Sequence, residues 1–240
     1  MSGDGRPPAL ELIDVRAGYG RIDVLHGLTL SVPRGTVLAL LGPNGAGKST
    51  TVQIAGGRLV PRSGCLHVAG NHVNGASPGR LAKAGVCTIP EGRGIFPNLT
   101  VDENLWVMTN ATRRARADVR DRALTFFPRL AEKRTQLAGT LSGGEQQMLA
   151  MSRALTTDPE LLILDEVSLG LAPLIVKELY EAVAHLTTLG IAILVVEQFA
   201  DTALAVADVA AIMGHGRIKA IGAPSAIAEQ LSSAYLGGAA

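Results

Sequence analysis

Apolar positions along this chain gather in short blocks separated by turns. Leu10–Val15 and Val24–Val32 alternate or cluster apolar residues like strands near a sheet edge. Thr36–Leu41 is a short apolar run that stops at a glycine-rich turn, and a helix is predicted from about Lys48 to Gly57. Gly85–Ile89, Leu161–Leu164 and Ile191–Val196 are four to six residues long and carry Ile, Leu and Val. Parallel strands covered on both faces have this pattern. Helical segments at Leu174–Leu189 and Phe199–Ala207 complete an α/β sheet wound with crossover helices.

From Glu91 to Pro159 the pattern changes: no strand-like run occurs, and helices are predicted over Val101–Met108, Ala117–Phe127 and Gly144–Thr157. The block reads as an all-helical insertion. Arg113, Arg114, Arg116, Arg120 and Arg122 crowd into it and read as a solvated helix face partly matched by Asp118 and Asp121. The small-residue tail from Ala223 predicts a short helix or two packed on the core.

Composition narrows the class. At about 150 residues per domain, 240 residues make one or two domains. Hydrophobic residues are 47% and charged residues 18%, which excludes intrinsic disorder, but aromatics are only 3%, so the surplus is aliphatic. The net charge of +1 predicts no nucleic-acid partner. Two cysteines, Cys65 and Cys87, make neither a disulfide framework nor a four-ligand zinc site; they are expected as buried thiols in a reducing compartment. Met1–Pro8 has no apolar signal core, and no run approaches the ~18–20 residues of a membrane span. The expectation is a cytoplasmic protein whose excess apolar surface awaits a partner.

Candidate chemistry begins at Gly42-Pro43-Asn44-Gly45-Ala46-Gly47-Lys48-Ser49-Thr50, which fits G-x-x-x-x-G-K-[ST]. Glycines let the backbone wrap a phosphate with its N–H groups inward, and the helix opening at Lys48 adds its positive dipole end. Lys48 supplies charge toward the β- and γ-phosphates and Ser49 a hydroxyl for Mg2+. With 28 Gly and 5 Lys in the chain, an accidental match is on the order of one in a hundred. This predicts a nucleoside triphosphate site.

The run Leu161–Leu164 ends in Asp165-Glu166, so a buried strand delivers two carboxylates at its carboxyl end, where open α/β sheets bind ligands. Asp165 can hold Mg2+ directly or through water, and Glu166 can accept a proton from an attacking water. Leu141-Ser-Gly-Gly-Glu-Gln-Gln147 precedes a helix that Ser142 can cap, with Glu145 as capping-box partner. Gly143 and Gly144 leave N–H groups open there. The stretch reads either as a well-capped helix or as a second anion site, and the second reading is a reason to dimerise head to tail.

Together these motifs resemble those of an ATP-binding subunit of an ABC transporter, over nearly the whole chain. Gly42–Thr50 corresponds to Walker A, Leu141–Gln147 to the signature and Leu161–Glu166 to Walker B. The resemblance implies an ABC-type P-loop fold: a RecA-like α/β core with an antiparallel β-subdomain over 1–92 and 158–240, and a helical subdomain over 93–157. It implies ATP and Mg2+ as ligands, with Ser49, Asp165 and Glu91 around the metal and Glu166, Lys48 and Gln198 in catalysis. Tyr19 matches the aromatic that stacks on adenine. Lys48 and Glu166 of one subunit would face Ser142 and Gly144 of a second across ATP.

Ile89-Pro-Glu-Gly-Arg93, Val101-Asp-Glu-Asn-Leu105, Ser168-Leu-Gly-Leu-Ala-Pro173, Val196-Glu-Gln198 and Ser233-Ala-Tyr-Leu-Gly-Gly238 are similar to the shorter ATP-binding subunit of branched-chain amino-acid importers. That likeness implies a homo- or heterodimer, two membrane permease subunits, an indirect amino-acid-binding protein, and a place on the inner face of the membrane. Urea or amide importers, other permeases and a soluble non-transport ABC protein are the alternatives. Three positions depart from the wider family: Glu91 replaces a glutamine, Gln198 a histidine and Val167 a proline. An ionised Glu91 only accepts hydrogen bonds and should reach Mg2+ or water. Gln198 can donate to the γ-phosphate without carrying a proton, which leaves Glu166 as the base. Val167 is expected to loosen the turn that follows.

Overall fold

A computed structural model describes residues 5–92, 94–107, 120–121 and 123–236, with side chains through residue 231. Its main sheet is built from the aliphatic runs. β3 (Val37–Leu41), β6 (Val86–Ile89), β7 (Leu161–Asp165), β8 (Ala192–Glu197), β9 (Val209–Gly214) and β10 (Arg217–Gly222) lie in the order β10-β9-β3-β8-β7-β6. All neighbours are parallel except β10 against β9.

Side chains alternate across this sheet, and both faces are covered. Val37, Ala39 and Leu41 of β3 join Leu162 and Leu164 of β7 in one core, under α5 (Gly143–Leu155) and α6 (Pro173–Thr188). Leu38, Leu40, Leu161 and Ile163 enter the other core, with α1 (Lys48–Ala55) and a second sheet above them. Two-sided burial explains why these runs are continuously apolar.

The second sheet is antiparallel, in the order β2-β1-β4-β5, from β1 (Leu10–Tyr19), β2 (Ile22–Val32), β4 (Ser63–Val68) and β5 (Asn71–His72). Of the two strands expected near an edge, β2 is the edge strand, while β1 lies between β2 and β4. The β9–β10 turn ties the two sheets together: His26 N donates to Gly216 O (3.0 Å), and Gly216 N donates to Ala46 O (2.8 Å). Only glycine suits position 216. Its φ is +69°, and a Cβ there would stand 1.9 Å from Val24 O.

Other helices among the described residues are α2 (Pro78–Lys83), α3 (Val101–Val107), α4 (Pro128–Ala131), α7 (Ala200–Leu204) and α8 (Pro224–Leu236), with a 3-10 turn at Ala138–Thr140. Residues 120–121 and 123–126, within the helix predicted over Ala117–Phe127, are helical as well. The helix predicted over Phe199–Ala207 is the shorter α7, and the tail forms a single helix through Leu236. Between Glu91 and Pro159 the described residues contain no strand, only an isolated bridge between Thr100 and Leu137. Buried Asn104 shapes the loop before α3: its amide nitrogen donates to the Phe96 and Leu99 carbonyls, and its amide oxygen accepts from Phe96 N.

Two expectations need correction. Cys65 and Cys87 are half-buried rather than buried: β6 is the edge strand of its sheet, and β5 pairs with β4 only at His67 and Val68, leaving Cys65 without a neighbour on that side. Arg120 is not a solvated charge: its side chain is only 16% exposed and pairs with Asp121 and Asp102. Arg93, Arg113, Arg114, Arg116, Arg122 and Asp118 lie outside the described residues, as do Gly237 and Gly238. Exposed large apolar side chains occur on the helical block (Phe96, Trp106, Val107, Leu137), but also on the antiparallel sheet (Ile13, Ile22) and beside β7 and β8 (Leu169, Phe199). The exposed apolar side chains are therefore spread over several faces of the chain.

Candidate functional site

β3 ends at Leu41, and the chain turns through Gly42–Gly47 into α1. Gly47 sits at the N-cap with φ +110°, and a Cβ there would come within 2.7 Å of Met213 Cε and 2.9 Å of Leu25 Cδ2. No side chain caps α1 and no acidic residue occupies its first turn. Its leading N–H groups and dipole are thus left for an external anion. Lys48 is buried and folds back over the loop, its Nζ donating to Gly42 O at 2.7 Å and Pro43 O at 3.4 Å. Ser49 is exposed beside it.

Asp165 and Glu166 stand at the carboxyl end of β7. Glu166 adopts φ +48°, a costly conformation for a residue with a Cβ, while its N–H donates to Val196 O at 2.9 Å. Burial, then the charges of Glu166, Glu91 and Glu197, push the Asp165 carboxyl up to about 6, and Lys48 opposes them. Asp165 therefore feels three other carboxylates as well as the Lys48 ammonium. Among the described residues no three acidic, His or Cys side chains lie close enough to hold a metal ion by themselves. The Asp165 carboxylate and the exposed Ser49 hydroxyl are oxygen donors of the kind Mg2+ takes alongside phosphate oxygens.

β8 ends at Glu197, and Gln198 follows it. Gln198 is exposed and lines a cleft of about 590 Å³ with Gly42, Pro43 and Asn44 of the glycine loop. Glu91 and Glu166 line a different cleft of about 260 Å³ with Gln146 and Gln147. The predicted catalytic residues are thus divided between two openings in the single chain. Tyr19 is 52% exposed at the β1–β2 hairpin, in the sheet whose Leu25 packs toward Gly47.

At the start of α5, Ser142 and Glu145 form the predicted capping box: Ser142 N donates to Glu145 Oε2 (2.9 Å), and Glu145 N donates to Ser142 Oγ (3.4 Å). Although burial pushes the Glu145 carboxyl up, hydrogen bonds from Lys133 and Ser142 hold it below the usual range. Gly144 meets a packing demand as well, since a Cβ there would lie 2.5 Å from Ile175 Cγ2 on α6.

Sequence reasoning missed one cluster. Glu197 is buried, and its Oε1 accepts from Ser168 N (3.1 Å) and Tyr180 Oη (3.0 Å). Burial, and less strongly the Glu166 charge, raise its carboxyl despite these bonds. The available signal was a lone acid closing the apolar run Ile191–Val196.

An ammonium held inside a glycine loop, opposite carboxylates at the carboxyl edge of a parallel sheet, is the layout of a P-loop nucleoside triphosphatase. The family model described as ABC transporter matches residues 25–168, more than half of the chain, and the chain belongs to that family. It is an ATP-binding cassette, an ATPase. Among curated relatives it is 41% identical over 223 residues to the high-affinity branched-chain amino acid transport ATP-binding protein BraG of Pseudomonas aeruginosa, covering 92% of this chain and 96% of BraG. A probable branched-chain amino acid transport ATP-binding protein, LivF of Archaeoglobus fulgidus, is 34% identical over 213 residues, 87% of this chain and 89% of LivF. The crystal structure of a nucleotide-free ATP-binding cassette from an ABC transporter superposes with a TM-score of 0.86 at 25% identity, covering 94% of this chain and 95% of that one.

Proposed function

We propose that this cassette hydrolyses ATP to drive import of branched-chain amino acids through two partner permease subunits, working as a homo- or heterodimer on the inner face of the membrane. The convergence of Lys48, Asp165, Glu166 and Glu91 charge at one sheet edge carries the hydrolytic part. The likeness to BraG supports the cargo.

In this reading Tyr19 stacks on adenine, and the Gly42–Thr50 loop with Lys48 holds the phosphates. Ser49 and Asp165, with Glu91 nearby, would hold Mg2+, which when bound would supply charge neutralisation at the phosphates. Glu166 takes the proton of the attacking water, and Gln198 donates an amide N–H to the γ-phosphate. Ser142, Gly143, Gly144 and Glu145 at the exposed start of α5 face the nucleotide of a second subunit. The helical block over 93–157 passes the resulting motion to the permease.

Glu166→Gln is expected to lower kcat by about 10²–10⁴ while ATP still binds, as read by turnover and nucleotide titration. Full activity would refute the base assignment. Uptake of leucine, isoleucine or valine into vesicles with the permease subunits and an amino-acid-binding protein tests the cargo. Uptake of urea or another amide in their place would overturn it.

A further inference from the structure

The buried carboxylate of Glu197 has no part in the steps above, yet it sits between three elements of the site. Its Oε1 accepts from the backbone N–H of Ser168, at 3.1 Å, and from the Tyr180 hydroxyl of α6, at 3.0 Å. Ser168 stands two residues beyond Glu166 and is itself buried. The turn between them is therefore fastened twice to β8: Glu166 N donates to Val196 O at 2.9 Å, and Ser168 N donates to the neighbouring Glu197 side chain.

Fastening matters here because Glu166 holds φ +48°, a conformation that persists only where the surroundings over-determine it. Position 167 does not restrict the backbone as a proline would, since it is valine, buried at 5% exposure. A carboxylate is costly to bury, and one that lies 1% exposed is tolerated where it receives strong hydrogen bonds. Both donors on this one belong to the segment from Ser168 through α6 that follows the proposed base.

We propose that Glu197 is a positioning residue for hydrolysis: it clamps Ser168, with Tyr180 as its buttress, and so holds Glu166, just past β7, against the end of β8 that Gln198 follows. The clamp acts through Glu166 and rests on that residue being the base. It needs hydrogen-bond acceptance by Glu197, not transfer of its proton.

The test compares Glu197→Leu with Glu197→Gln in the whole purified chain, reading kcat, ATP affinity and thermal unfolding separately. The glutamine amide oxygen can accept the same two bonds, whereas leucine fills the space and accepts none. Glu197→Leu is expected to lower kcat by about 10- to 100-fold with ATP affinity changed less than about threefold. Glu197→Gln is expected to restore most of the rate. A folded Glu197→Leu chain with wild-type kcat would overturn the clamp, and so would a Glu197→Gln chain as slow as the leucine variant, because that result assigns the effect to the carboxylate's charge or proton. If Glu197→Leu does not fold, Tyr180→Phe serves in its place: a kcat lower by about two- to fivefold at unchanged ATP affinity supports the clamp, and an unchanged kcat overturns it. Glu166→Gln is measured in parallel. Full activity there defeats the base reading itself, whereas a dead Glu166→Gln beside a fully active Glu197→Leu defeats only the clamp.

Discussion

The N-termini of α1 and α5 both open helices behind glycine-rich sequence, and the fold treats them in opposite ways. α1 starts at a left-handed glycine with no capping side chain and no acid in its first turn. α5 starts at Ser142 with a complete capping box and Glu145 in its first turn. At α1 the positive helix end is reinforced by Lys48. At α5 it faces a carboxylate that Lys133 in turn neutralises. An uncapped end supplies free donors to an anion at once, whereas a capped end is stabilised without one. On the proposed reading, the difference places the nucleotide affinity of the single chain at α1. It leaves α5 as a finished surface, its exposed Ser142 available to a second subunit.

The largest expected effect comes from breaking the α1 end. Lys48→Ala should lower turnover by about 10²–10³ and abolish the rise in melting temperature that ATP confers on the wild-type chain. An undiminished ATP-induced rise would place the affinity elsewhere. Breaking the α5 end acts on folding instead. Ser142→Ala should cost about 1 kcal/mol of stability in denaturant titration, and Ser142→Gly only a few tenths, with the ATP-induced rise intact in both. Loss of that rise in Ser142→Ala would mean that the two ends are coupled within one chain.

The smallest effect is a difference in pH dependence. Asp165, raised to about 6 by burial and neighbouring carboxylates, binds its proton more tightly folded than unfolded. Its contribution to stability is therefore lost as pH rises from about 4 through about 6. Glu145, held below the usual carboxylate range by Lys133 and Ser142 despite its burial, contributes the reverse, stability lost as pH falls through its folded pKa. Melting curves of the nucleotide-free chain should show Asp165→Asn removing the loss toward neutral pH and Glu145→Gln reducing the loss in acid. Identical pH profiles in both variants and the wild type would contradict these environments.

Much of the site was legible because its chemistry is local. The Gly42–Thr50 loop, the capping box of Ser142 and Glu145, and the acids closing β7 each depend on residues within one turn or strand. Less of the fold was legible. β4, β9 and β10 were not predicted, and the two residues of β5 are both exposed, so no apolar pattern marks them. β10 alternates only between exposed and half-buried positions, and its pairing with β9 depends on a turn rather than on hydrophobicity. Gly144 was read for its open N–H; its approach to Ile175 on α6 depends on how two helices pack.

The sequence alone determined the class of chemistry and the two-sided parallel sheet, because phosphate wrapping, helix capping and continuous aliphatic strands are properties of short segments. Tertiary structure decided which charges share a site. It placed Glu91, Glu166 and Glu197 around Asp165, and it gave the Glu197 carboxylate to Ser168 and Tyr180. Electrostatic and hydrogen-bond energies depend on distances of a few ångströms between residues far apart in sequence. Those distances exist only once β7, β8 and α6 have packed.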